Sequence, residues 1–115
     1  MSSIFPEPIT NLPEVDFPYD TIKGFLSQSD QHQIVFMEFH EDTDIPEHSH
    51  KSQWEVIVSG KVDLFCDGIK KTFTRGDTFF IKEGQLHHAH VYKGYASVVF
   101  FNERSRYTAK NNLRH

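Results

Sequence analysis

Two histidines separated by a single residue are the feature of this sequence that most clearly suggests chemistry. His48 and His50 lie in the segment HSHKSQWE, and Gln53 and Glu55 follow within five residues. Alternate side chains of an extended strand point to the same face, so His48 can share a face with His50, and Gln53 can share one with Glu55. Two imidazoles, an amide oxygen and a carboxylate in this pattern indicate a metal site.

A third imidazole is available further along the chain, where His87 follows a turn at Gly84 in the segment GDTFFIKEGQLHHAH. Three imidazoles can hold one side of a metal ion and leave positions open for water or a ligand, as in catalytic rather than structural sites. The alternative is that each histidine is an ordinary surface or core residue, and a His-x-His pair alone is weak support for a metal. The combination of the two segments favours the metal site.

The elements that must position these residues are predicted to be short strands. Segments of β-type residues recur every 8 to 12 residues or so with turn signals between them, which is typical of an all-β sandwich or barrel. The predicted strands are TIKGFLSQ, HQIVFMEFH, QWEVIVS, KVDLFC, IKKTFT, TFFI, HHAHVY and YASVVFF. Asp67-Gly68 between two of them is a signal for a type I′ hairpin turn.

Three regions are predicted to lie outside the strands. The opening segment to about Asp20 is rich in proline and is interpreted as an extended arm or edge segment, since proline cannot join the middle of a sheet. EDTDIPE is interpreted as a loop. The polar tail NERSRYTAKNNLRH is predicted to hold one helical turn or to fray.

In the order of these features the sequence resembles the small single-domain cupins. Their second motif, Gly-x5-Pro-x-Gly-x2-His-x3-Asn, fits Gly76, Gly84 and His87. Their first motif, Gly-x5-His-x-His-x(3,4)-Glu-x6-Gly, fits in part, through the two early histidines and a downstream glycine. The departures are Asp42 for the first glycine, Gln53 at the glutamate position, Lys82 for proline and Val91 for asparagine.

This resemblance covers roughly residues 22–102, taken as the barrel core of a single domain over residues 1–115. It implies an all-β fold, the cupin double-stranded β-helix, a jelly-roll barrel with the extended N-terminal arm. It also implies a homodimer that shelters aromatic side chains on the outer face of the barrel, among them Trp54.

The ligand set that the resemblance implies is His48, His50, Gln53 and His87, holding one divalent transition metal per chain. Zinc, nickel, copper, iron and manganese are the candidates, since imidazole-rich sites suit such ions better than magnesium or calcium. All four ligands are neutral, so the ion would keep its full charge, polarise carbonyls and attract anions. Glu55 lies deeper on the Gln53 face, placed to act as a general acid or base. Whether Gln53 or Glu55 is the ligand stays open.

Two function classes remain. One is a small metalloenzyme acting on a small anionic or carbonyl-bearing molecule, which Glu55 beside open metal positions favours. The other is a non-catalytic, metal-dependent module that senses or carries a small ligand, which the lack of a further recognisable catalytic group favours. Because one fold hosts many activities, the sequence does not decide whether the protein is an enzyme.

Composition argues against other kinds of partner. The net charge is −4 with histidines neutral, and the lysines and arginines are spread along the chain instead of forming the basic face that nucleic acid needs. No apolar run approaches the roughly 18 residues of a membrane span. The single cysteine, Cys66, permits no internal disulfide, which fits a cytoplasmic location.

Overall fold

The structure is a computed structural model, and it describes residues 3–110. The last residues of the predicted tail, 111–115, lie outside the described residues. Within these, the elements in chain order are α1 (Glu7–Thr10), β1 (Ile22–Gln28), β2 (Gln33–Phe39), β3 (Thr43–His48), β4 (Gln53–Ser59), β5 (Lys61–Cys66), β6 (Ile69–Thr74), β7 (Thr78–Ile81), β8 (His87–Val91) and β9 (Ala96–Phe101).

The strands form two antiparallel sheets, one in the order β1-β2-β9-β4-β7 and the other in the order β3-β8-β5-β6. The predicted all-β jelly roll is confirmed. The hairpin at Asp67-Gly68 is also confirmed, because both residues have positive φ (53° and 75°), as a type I′ turn requires. Apolar side chains of both sheets face each other in the interior, and Val15, Val35, Ile57, Val99 and Phe101 are among the most deeply buried.

The interpretation of EDTDIPE as a loop is wrong, because most of this segment belongs to strand β3. β3 lies at the edge of its sheet and pairs only with β8 among the described strands. An edge strand tolerates Pro46, whose missing N–H needs no ladder partner. The pairing register shifts between Ile45 and His48, so the proline falls within an irregular stretch of the ladder.

The extended N-terminal arm is not confirmed, since part of the opening segment is helical and packs onto the outside of the larger sheet. Helix α1 brings Ile9 and Leu12 into a cluster with the buried residues Phe5 and Phe25. Phe5, Ile9 and Leu12 are four and three residues apart, a helical spacing that the prolines obscured. Further on, Val15 forms an isolated antiparallel bridge with Ala109.

The tail is neither helical nor frayed over residues 102–110. It turns back across the end of the barrel, where the buried Gln33 side chain holds its backbone. No helix within residues 3–110 is long and apolar enough to cross a membrane.

Candidate metal centre

His48, His50 and His87 come together at one end of the barrel. One ring nitrogen from each lies within 4.8 Å of the others. His48 ends β3 and is paired directly with His87 on β8, which brings their ring centroids to 4.2 Å. His50 lies beyond the end of β3, so its approach depends on the loop before β4 and not on the strand alternation that first suggested the pair.

Hydrogen bonds fix the loop that carries His50. The Gly84 N–H donates to the His50 carbonyl (2.9 Å), which ties this loop to the turn that precedes His87. The Lys51 N–H donates to the Glu103 carboxylate (3.2 Å), and the Asn102 N–H donates to the Ser52 carbonyl (2.9 Å). The two segments singled out in the sequence are therefore linked to each other through the backbone.

The three imidazoles share one pattern of hydrogen bonding. Each Nδ1 lies 2.7 to 2.8 Å from a backbone carbonyl, of Pro46 for His48, of Lys51 for His50 and of Gln85 for His87. A carbonyl only accepts, so Nδ1 must carry the proton and Nε2 is left as a lone-pair donor. A hydrogen bond from the second ring nitrogen to a carbonyl is the usual support of a metal-bound histidine.

Burial favours the uncharged form of His50 and His87. Burial lowers the pKa of His87 to about 4, with neighbouring histidines and Arg106 adding to the effect. Burial also lowers the pKa of His50, whose Nε2 is buried without a hydrogen-bond partner. A neutral imidazole is the form that binds metal, so the residues present fit a transition metal well.

Gln53 and Glu55 point inward from β4 and are both buried. The Gln53 amide Nε2 donates to one Glu55 carboxylate oxygen (2.7 Å), which leaves the amide oxygen as the free end of the Gln53 side chain. The Tyr95 hydroxyl donates to the other Glu55 oxygen (2.5 Å). Burial raises the pKa of Glu55, and the hydrogen bonds from Tyr95 and Gln53 oppose that rise.

A cavity of about 340 Å³ opens beside these residues between the two sheets. His48, Gln53, Glu55 and His87 line one part of it. Apolar and aromatic side chains line most of the rest, including Met37, Phe39, Ile45, Val62, Leu64 and Phe79. Concave, mostly apolar cavities with a few convergent polar groups are typical of small-molecule sites.

No family model and no curated protein sequence matches this chain. Solved structures do match. An RmlC-like cupin from Shewanella frigidimarina NCIMB 400 is 23% identical, with a TM-score of 0.72 over 91% of this chain and 94% of that one. KdgF from a Halomonas species is 18% identical, with a TM-score of 0.67 over 78% and 88%. The chain has the cupin fold.

A longer neighbour is oxalate decarboxylase from Bacillus subtilis, in a structure described for its Mn(II) centres. It is 15% identical, with a TM-score of 0.70 over 84% of this chain but only 29% of its own length. At such identities the likeness to these proteins extends to the fold and not to an activity.

The cupin barrel places the remaining predicted residues on its outer surface. Trp54 is 43% exposed and lies opposite the inward Gln53 and Glu55, which confirms its predicted position outside the cavity. His88 and His90 also point away from the metal centre. His88 stacks on Phe65 with ring centroids 4.4 Å apart, and His90 Nδ1 lies 2.6 Å from an Asp44 carboxylate oxygen.

Sequence reasoning missed Tyr95 and Arg106, which both line the cavity. Gly60 gives a partial signal for Tyr95, because its φ is +79° and a Cβ there would lie 2.6 Å from the Tyr95 Cα. Only glycine allows the turn at Gly60 to approach the backbone of Tyr95 so closely. The hydroxyl of this tyrosine donates a hydrogen bond to Glu55. Arg106 lies in the polar tail, where no periodicity marks it.

Proposed function

We propose that this cupin binds one divalent transition metal through His48, His50 and His87 and uses it to act on a small anionic or carbonyl-bearing molecule. The common hydrogen-bonding pattern of the three imidazoles carries the proposal. In each of them Nδ1 donates its proton to a backbone carbonyl, which leaves Nε2 free to bind a metal. Zinc, nickel, iron and manganese all suit such ligands.

Gln53 is proposed as the fourth ligand through its amide oxygen. The hydrogen bond from its Nε2 to Glu55 supports this assignment, because it turns the oxygen end of the amide away from the carboxylate. With four neutral ligands, the site favours an anionic or strongly polar partner.

Glu55 is proposed as the general acid or base. A bound divalent ion supplies a Lewis acid that polarises a carbonyl or carboxylate oxygen. Glu55 lies in the wall of the same cavity, and burial raises its pKa above the ordinary value of a carboxyl group, a shift that suits a group that holds and releases a proton. Tyr95 keeps the carboxyl group oriented through its hydrogen bond.

A non-catalytic binding or sensing module is the second candidate, and one observation favours it. Both Glu55 oxygens already accept hydrogen bonds, from Gln53 and Tyr95, within the protein itself. A carboxylate engaged in this way can serve to orient the metal ligand without moving a proton.

Metal analysis of protein purified without a histidine tag, combined with mass spectrometry of any co-purifying small molecule, tests the proposal. We expect one transition metal per chain. The identified ligand is then incubated with metal-loaded protein, and conversion to a product supports the enzyme whereas reversible binding without conversion supports the module. Protein that holds no transition metal after chelation and reloading contradicts both.

A homodimer in the cytoplasm completes the proposal. Phe80 is 60% exposed and is the cross-strand neighbour of Trp54, which in turn pairs with Phe100 on β9. An apolar row across three adjacent strands is the kind of surface that a second copy covers. The single cysteine, which forms no internal disulfide, supports a reducing compartment.

A further inference from the structure

Arg106 lies in the wall of the cavity as a cation without a carboxylate partner in the part of the chain that the structure describes. Its side chain lines the cavity, and its Nε is buried without a hydrogen bond. No carboxylate among residues 3–110 forms a salt bridge with it. Buried polar groups are normally paired, because an unpaired one retains its desolvation cost. Within residues 3–110 the guanidinium group therefore lacks an anionic partner, and a ligand can supply one.

Aromatic rings hold this guanidinium group on the side of the cavity that carries the histidines. Its central carbon lies 4.4 Å from the centroid of the Tyr107 ring and 5.7 Å from that of Phe101. The Phe101 ring also contacts His50, with centroids 5.7 Å apart. A ligand that fills this part of the cavity can therefore meet Arg106 and the metal centre together.

The backbone on both sides of Arg106 is fixed by one buried side chain. Gln33 Nε2 donates to the carbonyls of Arg104 (3.0 Å) and Tyr107 (2.8 Å), and Gln33 Oε1 accepts from the Tyr107 N–H (2.9 Å). Gln33 is fully buried. Arg106 is thus held before any ligand arrives, which reduces the entropy that binding must remove.

The charges of the cavity wall point to one class of ligand. Among its lining residues only Glu55 and Arg106 are acidic or permanently charged, and Glu55 is already hydrogen-bonded within the protein. Apolar and aromatic side chains form most of the remaining wall of the cavity. We propose that Arg106 binds the carboxylate of a small monocarboxylic acid whose body is apolar. The planar fork of arginine matches a carboxylate in two parallel hydrogen bonds.

This inference rests on the proposed function, because it assigns a substrate class to the same cavity. Calorimetric titration of zinc-loaded and metal-free protein with benzoate, hexanoate and the neutral benzamide tests it. Arg106→Gln removes the charge, Arg106→Lys keeps the charge without the fork, and Arg104→Gln is the matched control, since the Arg104 side chain is exposed. Thermal unfolding and metal content establish that each variant is folded and loaded.

We expect the wild type to prefer benzoate and hexanoate to benzamide. Arg106→Gln should weaken carboxylate binding by about 10- to 100-fold, the range for hydrogen bonds to a charged group. Arg106→Lys should recover only part of this affinity, and Arg104→Gln should match the wild type. Metal content should be the same in all of them.

The inference is overturned if the wild type binds neither carboxylate at millimolar concentration, or if Arg106→Gln binds them as tightly as the wild type does. Either result leaves the metal proposal standing when metal content is normal. Protein that binds benzoate through Arg106 but holds no metal supports the inference while contradicting the proposed function.

Discussion

The two faces of strand β8 carry histidines with opposite properties. His87 points into the barrel, where burial lowers its pKa to about 4. His90 points out of the barrel, where the hydrogen bond that its Nδ1 donates to the Asp44 carboxylate raises its pKa, with the charges of Asp44, Asp42 and Asp63 adding to the effect. One face therefore holds a neutral imidazole, and the other holds an imidazole that takes up a proton readily.

This difference shows that the face of a strand decides the chemistry of a histidine more than its neighbours in sequence do. His87 and His88 are adjacent, yet only His87 meets two other imidazoles. Metal binding should therefore depend on the inward histidines alone, and the outward ones serve as controls inside the same strand.

The largest expected effect is the loss of metal from variants in which the inward histidines are replaced. The double variant His48→Ala/His50→Ala should lose metal almost completely and stay folded, because an open site contributes less to stability than a closed structural one. His87→Ala should weaken binding by more than about 100-fold, since even an outer hydrogen-bond partner contributes about 10- to 100-fold. His88→Ala and His90→Ala should keep full metal content after chelation and reloading, as mass spectrometry of the metal can establish. If His88→Ala or His90→Ala lost as much metal as His87→Ala, the proposed difference between the two faces of β8 would be contradicted.

Substitutions of the two inward residues of β4, Gln53 and Glu55, should have different effects. Gln53→Ala should weaken metal binding or alter the visible spectrum of the cobalt-substituted protein. Glu55→Gln should keep metal content nearly unchanged and, if the protein is an enzyme, lower turnover by roughly 10²- to 10⁴-fold, the range for a lost general acid or base. In a binding module Glu55→Gln should instead change ligand affinity. Metal lost from Glu55→Gln and kept by Gln53→Ala would make the carboxylate the ligand.

A smaller effect is expected on the outer face of the larger sheet. Phe80→Asp should weaken the proposed homodimer by more than about 10-fold, because burial of a phenylalanine contributes roughly 1.5 to 3 kcal/mol. Ile69→Asp is the control, since Ile69 is similarly exposed (59%) but lies at the β5–β6 hairpin. Sedimentation velocity measures both. A wild type that sediments as a monomer at tens of micromolar would contradict the dimer.

The smallest effect is a difference in protonation between the two faces of β8 in metal-free protein. His87 should stay neutral until the pH approaches about 4, whereas His90 should take up its proton above the ordinary histidine range. Asp44→Asn should lower the pKa of His90 and leave that of His87 unchanged. Histidine ring signals followed by NMR over a pH titration give both values, and a common pKa for the two residues would contradict the comparison.

Strand alternation and turn residues were enough to predict an all-β sandwich or barrel, and to place Trp54 on the face opposite to Gln53 and Glu55. They failed where the deciding contact joins residues far apart in the chain. The segment EDTDIPE, which contains Pro46, was predicted to be a loop because its position at a sheet edge is a property of the assembled sheet. Arg106 lies in a segment without periodicity, and only the hydrogen bonds of Gln33 to that segment show why it faces the cavity.

X-ray absorption spectroscopy of the zinc-loaded protein tests the metal centre most directly. The account predicts three imidazole nitrogens at about 2.0 to 2.1 Å from the metal, with oxygen completing the shell. The double variant His48→Ala/His50→Ala, if any zinc remains, should lose that imidazole pattern. A wild-type spectrum with fewer than three imidazoles, or with sulfur from Cys66, which is paired with His87 across β5 and β8, would contradict it.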